Sequence, residues 1–281
     1  MRLILCSFVI ATCATTVIAQ DNASEASASV TISSPTEPSV VDPYSEAAIK
    51  KWDKAISELE TQDQAEADPD DAVLFIGSSS IRRWETMAQD MTPFRTIRRG
   101  YGGAKFTDMA VFVDRLVQPH RYRALVMFVG NGVTGTPDDH TPDQIEALAR
   151  HIVATSHAHQ VGVPVFLIEI TPCEKRFAAW HKIRVVNARL REVALSTPDT
   201  YFIPTASHFL RPDGTPRGEL FVDDKLHLNE AGYDLWSILI RARLTDVFRS
   251  MADTAGQESG DQTSPAAGSP TSGVIPAATN N

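Results

Sequence analysis

Five apolar runs of strand length punctuate the chain, and each gives way to a stretch with helical periodicity. "AVLFIG" (72–77) leads to a helical stretch from Ile81, and "FRTIRRGYGG" (94–103) to "FTDMAVFVDRLV" (106–117). "RALVMFVG" (123–130) leads across a Pro/Asp loop to "DQIEALARHIVATSHA" (143–158), and "VPVFLIEI" (163–170) to "WHKIRVVNARLREVAL" (180–195). "TYFIPT" (200–205) is followed, after a longer loop, by "NEAGYDLWSILIRARLTDVFR" (229–249). Strands that are apolar almost throughout, each followed by a helix, predict a parallel sheet covered on both faces. The expected fold class is α/β: a three-layer α/β/α sandwich around a mainly parallel, flavodoxin-like five-stranded sheet.

The ends of the chain read differently. Residues 20–41 and 251–281 are rich in Ser, Ala, Thr, Glu and Pro and carry few large apolar side chains, so burial cannot offset the entropy of ordering them. They are expected to be a disordered linker and a disordered tail around a folded unit at 42–250. Residues 1–19 read as a signal peptide: Arg2 supplies the charge, Leu3 to Ile18 are mostly apolar, and Val17 and Ala19 are the small residues before a cleavage point. The mature protein is expected to begin near Gln20, exported to a periplasmic or extracellular location, with no stable membrane span. Cys6 and Cys13 fall inside that signal, which leaves Cys173 alone and predicts no internal disulfide.

In an open parallel sheet, ligands bind beyond the carboxyl ends of the strands, so the residues following each run carry the candidate chemistry. They are "GSSS", "GYGGAK", "GNGVTG", "TPCEKR" and, in the last loop, "DDKLH". Asp224 and His227 lie three residues apart, a spacing at which a carboxylate can hold an imidazole in one tautomer; the same spacing also suits a simple helix-entry turn. A base so held needs a nucleophile, and the three serines Ser78, Ser79 and Ser80 offer hydroxyls. Acyl transfer further requires donors for a developing oxyanion. The N–H of a serine opening a helix, the glycines Gly102 and Gly103, and the Asn131 amide are the available candidates.

These blocks, in this order, resemble the SGNH hydrolases, or GDSL-like lipases and esterases, from about Ala72 to Leu244. "FIGSSS" is similar to the family's Gly-Asp-Ser block, "RRGYGGAK" to its glycine block, "FVGNGV" to its Gly-x-Asn-Asp block and "DDKLH" to its Asp-x-x-His block. The resemblance implies that Ser79 is the nucleophile, His227 the base and Asp224 its orienter. It implies an oxyanion hole built from Ser79, Gly103 and Asn131, with no cofactor and no metal. Ser78 stands where the family usually has aspartate, and Gly132 follows Asn131 where aspartate is usual; Asn-Gly is also well suited to a tight turn. The expected function is an exported serine esterase acting on small-molecule carboxylic esters of carbohydrates or lipids, with short acyl groups. A catalytically weak relative that binds an acylated glycan, and an acyltransferase using the same site, are the alternatives.

Charge narrows the partners. With 26 Lys and Arg against 35 Asp and Glu the net charge is −9, which disfavours nucleic acid and anionic membranes. "GYGGAK" lacks the remaining glycine of a dinucleotide fingerprint and the ending of a phosphate loop. His151, His157 and His159 share one helical stretch with no carboxylate or cysteine pattern to make a metal site. Arg82, Arg83, Trp84, Arg176, Trp180 and His181 fall near the expected rim of the site, where they either shape specificity or belong to the core.

Overall fold

The computed structural model describes residues 39–261; the expected signal peptide, most of the expected linker and the end of the expected tail lie outside them. Five strands, β1 (Val73–Gly77), β2 (Thr96–Gly100), β3 (Ala124–Phe128), β4 (Val165–Ile168) and β5 (Thr200–Ile203), form one sheet in the order β2-β1-β3-β4-β5. All four pairings are parallel. This is the flavodoxin-like order, and its switch point lies between β1 and β3. The α/β/α sandwich expected from the apolar runs is the fold observed.

Side chains alternate across the sheet into two cores. Leu74, Ile76, Leu125, Met127, Val165 and Leu167 face one side, and Val73, Phe75, Val126, Phe128, Phe166 and Ile168 the other. The first core is covered by α1 (Asp42–Ala65), α4 (Phe106–Val117), α5 (Pro142–His159) and α6 (Trp180–Ser196). The second is covered by the single turns α2 (Ser79–Arg82) and α3 (Met87–Asp90) and by the long α7 (Glu230–Asp261). Local signals start these helices where they stand. Thr141 caps α5 by accepting from Gln144 N–H at 3.2 Å, while the Gln144 side chain accepts from Thr141 N–H at 2.9 Å. At α4 the Asp108 carboxylate accepts from Lys105 N–H at 2.9 Å.

Three departures from the sequence pattern have physical reasons. Helix α1 carries no strong apolar stripe; Ala48 and Ile56 are its fully buried residues, and Tyr44, Trp52, Ala55 and Leu59 are half-buried against the core. Val40 and Val41, assigned to the linker, pack partly against the same core. At the other end, α7 runs on to Asp261, eleven residues into the segment expected as disordered tail. Residues 251–261 contain no proline, and extending an existing helix needs no new nucleus.

Candidate active site

The turn after β1 decides which serine is presented. Ser78 N–H donates to the Phe128 carbonyl at 3.0 Å, binding the turn to the end of β3. A Cβ on Gly77 would lie 2.2 Å from that same carbonyl oxygen, so only glycine lets the two backbones come this close. Ser78, buried and extended, precedes the helix, and its carbonyl accepts from Ile81 and Arg82 N–H. Ser80 lies inside the turn of helix, and its carbonyl accepts from the Tyr233 hydroxyl at 2.9 Å. Ser79 remains, at the first helical position, with its hydroxyl on the pocket.

Facing it is the loop between the short turn Gly218–Leu220 and α7. Val222 N–H donates to His227 O at 2.9 Å and Lys225 N–H to Val222 O at 2.8 Å, closing a tight turn in which Lys225 takes φ +59°. Asp224 Oδ1 accepts from the N–H groups of Leu226 and His227, each at 2.9 Å, and Oδ2 lies 2.6 Å from His227 Nδ1. His227 Nε2 lies 2.8 Å from Ser79 Oγ. The three side chains thus form a continuous hydrogen-bonded row. Partial burial works to raise the Asp224 pKa, but the backbone and imidazole donors of His227 and the Leu226 N–H outweigh it and hold the carboxyl down at about 2.

The opposite wall is made by the loops after β2 and β3. Asn131 Nδ2 donates to Ala104 O at 3.1 Å, and a Cβ built on Gly103 would lie 3.8 Å from the same nitrogen, so Gly103 and the Asn131 amide are neighbours. Among the described residues no acceptor takes the N–H of Ser79 or of Gly103. Gly132 adopts φ +111° and its carbonyl accepts from His140 N–H. Asn131 forms a parallel bridge with Lys105 and Gly132 is a bend, and the asparagine side chain lines the pocket.

The pocket between these walls is lined by Ser79, His227, Asn131 and Arg176 and by the apolar Phe128, Ile170, Phe221 and Trp236. Cys173 belongs to this wall too; it is a free, buried thiol whose pKa is raised, chiefly by burial. Of the rim candidates, Trp84 is fully buried and stacks on Tyr233 with centroids 5.3 Å apart, which makes it core. Trp180 packs partly against the first core, while Arg82, Arg83 and His181 are exposed. Arg176 reaches furthest inward, and sequence pattern alone did not reveal what it holds.

A family model for GDSL-like lipases and acylhydrolases matches residues 65–235, more than half of the chain. The chain belongs to the GDSL-like lipase/acylhydrolase family. Among curated proteins none matches it. Solved structures agree on the fold of this GDSL-like protein. A Streptococcus pneumonia protein, described provisionally as a platelet activating factor, superposes with TM-score 0.62 at 18% identity, covering 71% of this chain and 95% of its own. A GDSL-like lipase from Bacteroides thetaiotaomicron gives TM-score 0.60 at 19% identity, covering 68% and 98%. A Bacteroides fragilis protein, described provisionally as an acylhydrolase, gives 0.58 at 20%, covering 66% and 94%. Among the described residues no helix is long and apolar enough to cross a membrane.

Proposed function

We propose that this GDSL-like protein is an exported serine esterase that hydrolyses short-acyl carboxylic esters through an acyl-enzyme. The observation that carries the reading is the row Ser79 Oγ–His227 Nε2–His227 Nδ1–Asp224 Oδ2, at 2.8 and 2.6 Å. In the first step Ser79 Oγ attacks the ester carbonyl carbon as its proton passes to His227 Nε2. Asp224 holds Nδ1–H and so keeps Nε2 free to accept. The carbonyl oxygen, now negative, is received by the N–H groups of Ser79 and Gly103 and by Asn131 Nδ2. Collapse expels the alcohol, which takes the proton from His227; water, deprotonated by the same imidazole, then releases the acid.

Two features support the finer claims. The pocket beside Ser79 is lined by the bulky side chains of Phe128, Phe221 and Trp236, which favours a short acyl group. Export rests on the charged, apolar and small-residue succession of residues 1–19.

The test is turnover of a short-chain aryl ester by the wild type and by Ser79→Ala, together with fluorophosphonate labelling. The expected result is stoichiometric labelling at Ser79 and a fall in kcat of roughly 10³-fold or more in the variant. Unchanged turnover in Ser79→Ala would sink the esterase reading, and absence of labelling in the wild type would favour a glycan-binding role.

A further inference from the structure

Arg176 enters the pocket wall from the short 3-10 turn Glu174–Ala179 that follows β4. Its two terminal nitrogens are committed to one short stretch of the β3 loop: Nη1 donates to the Gly130 carbonyl at 2.6 Å, and Nη2 donates to Asn131 Oδ1. Both acceptors are neutral. An arginine fork is more commonly matched to a carboxylate, and a half-buried guanidinium without one is costly to desolvate. Burial accordingly lowers its pKa from the ordinary arginine value.

The contacts settle how the Asn131 amide is turned. A guanidinium has only donors and a carbonyl only acceptors. With Arg176 at one end of the amide and Ala104 O at the other, the reversed rotamer would set NH₂ against guanidinium and carbonyl against carbonyl. Nδ2 therefore points to the glycine loop. One of its two hydrogens is used by Ala104 O, and the other remains for a ligand. The same turn also touches the base loop: Lys175 N–H donates to Lys225 O at 3.0 Å, and Glu174 pairs with Lys225 Nζ at 2.8 Å. The segment after β4 thus sits between the donor loop and the loop that carries His227.

We propose that Arg176 is a positioning residue of this site: by holding Gly130 O and Asn131 Oδ1 it fixes the Asn131 amide with Nδ2 towards the pocket and places a permanent positive charge behind that donor. The proposal rests on the esterase reading above. Arg176 acts through Asn131, so its removal should weaken the transition state more than the ground state.

The test uses the full chain with Arg176→Lys, Arg176→Met, Asn131→Ala and the double variant Arg176→Met/Asn131→Ala, with kcat and KM of a short-chain aryl ester measured separately. Arg176→Met is expected to lower kcat by about 10- to 100-fold with KM within about threefold, a part of what losing a whole oxyanion donor costs. Arg176→Lys, which restores the charge but not the two-pronged grip, should recover part of that loss. In the Asn131→Ala background the Arg176→Met effect should shrink to less than about threefold, because its target is gone. Full kcat in Arg176→Met, a change in KM alone, or multiplicative effects in the double variant would each overturn the proposal. Should Arg176→Met fail to fold, the same comparison is made with Arg176→Lys, whose full activity would overturn it equally. Ser79→Ala, run in parallel, separates the two readings: activity there defeats the esterase assignment, whereas an inactive Ser79→Ala beside a fully active Arg176→Met defeats only the positioning role.

Discussion

Ser79 and His227 are 148 residues apart in the chain and 2.8 Å apart between Oγ and Nε2. Two unrelated local devices produce that approach. On one side, Gly77 lets the end of β1 sit against the Phe128 carbonyl, which points the first residue of α2 at the strand ends. On the other, a closed turn from Val222 to His227 presents the imidazole while Asp224 holds it from behind. Tyr233, on α7, ties that helix to the serine turn by donating to Ser80 O at 2.9 Å. The switch point between β1 and β3 supplies the crevice, and these devices fill it with chemistry.

Asp224 has two separable tasks. Oδ1 accepts two backbone N–H groups and so shapes the turn, whereas Oδ2 meets the imidazole. Asp224→Asn keeps an oxygen for the first task but sets an NH₂ against Nδ1, which favours the wrong tautomer. Its kcat should fall by roughly 10³- to 10⁴-fold with a melting temperature lowered only slightly. Asp224→Ala should lose as much activity and also melt lower, since two turn donors lose their acceptor. Equal melting temperatures for the two variants, or retained activity in Asp224→Asn, would contradict this division.

The depressed pKa of Asp224 sets the sign of a pH effect. Its carboxyl ionises at about 2 in the folded chain against an ordinary value of 3.8. Its stabilising contribution is therefore complete above about pH 4 and is lost as the pH falls through 3.8 towards 2. The side chain is 42% exposed, so solvent screens the effect and it should be small. Urea midpoints of the wild type and Asp224→Asn should converge between pH 5 and pH 2. For the same reason, any loss of activity above pH 4 must come from a group other than Asp224; an acid limb above pH 4 that vanished in Asp224→Asn would be the contrary result.

The glycine loop divides what the sequence left equivalent. A Cβ on Gly102 would lie 2.6 Å from two atoms of the Trp52 indole, while one on Gly103 meets nothing closer than Asn131 Nδ2 at 3.8 Å. Gly102→Ala must displace Trp52 and loosen α1, and should cost about 1–3 kcal/mol in unfolding free energy. Gly103→Ala keeps its backbone N–H and should fold as the wild type with activity within about tenfold. Chemical denaturation and kcat of the two variants decide it, and a stable Gly102→Ala beside an unstable Gly103→Ala would reverse the assignment.

Strand ends and the parallel, doubly covered sheet were legible because buried parallel strands are written as uninterrupted apolar runs, such as "VLFIG" and "ALVMF". Asp-x-x-His was legible because both partners lie in one turn. Helix α1 was not, since its buried positions are spread among charged residues and alanines that suit a solvated helix equally well. Arg176 escaped for a different reason. Its partners, Gly130 O and Asn131 Oδ1, are a backbone carbonyl and an amide 46 and 45 residues away, and neither leaves a charge pattern in the chain.

A buried ion pair fastens α1 to the edge of the sheet. Arg99, on β2, is only 3% exposed and its Nε lies 2.5 Å from Asp63 Oδ1 on α1, with Glu66 Oε2 at 3.6 Å from Nη2. His120, buried after α4, lies 3.3 Å from the same Asp63 oxygen and 3.0 Å from Asp68. Replacing Asp63 by Asn keeps the volume but removes the charge that compensates Arg99, and breaking one partner of such a pair typically costs about 3–5 kcal/mol. For a domain of this size that corresponds to a melting point lower by roughly 6–20 °C. The pair makes no contact with Ser79, His227 or Asn131, so kcat well below the transition should stay as in the wild type. Replacing both partners at once, as Asp63→Leu with Arg99→Met, should return much of the stability, because the uncompensated charge is then gone. Thermal unfolding of the single and double variants tests this. A drop of less than 1 °C in Asp63→Asn, or a double variant less stable than the single, would show that the pair is not what holds α1 in place.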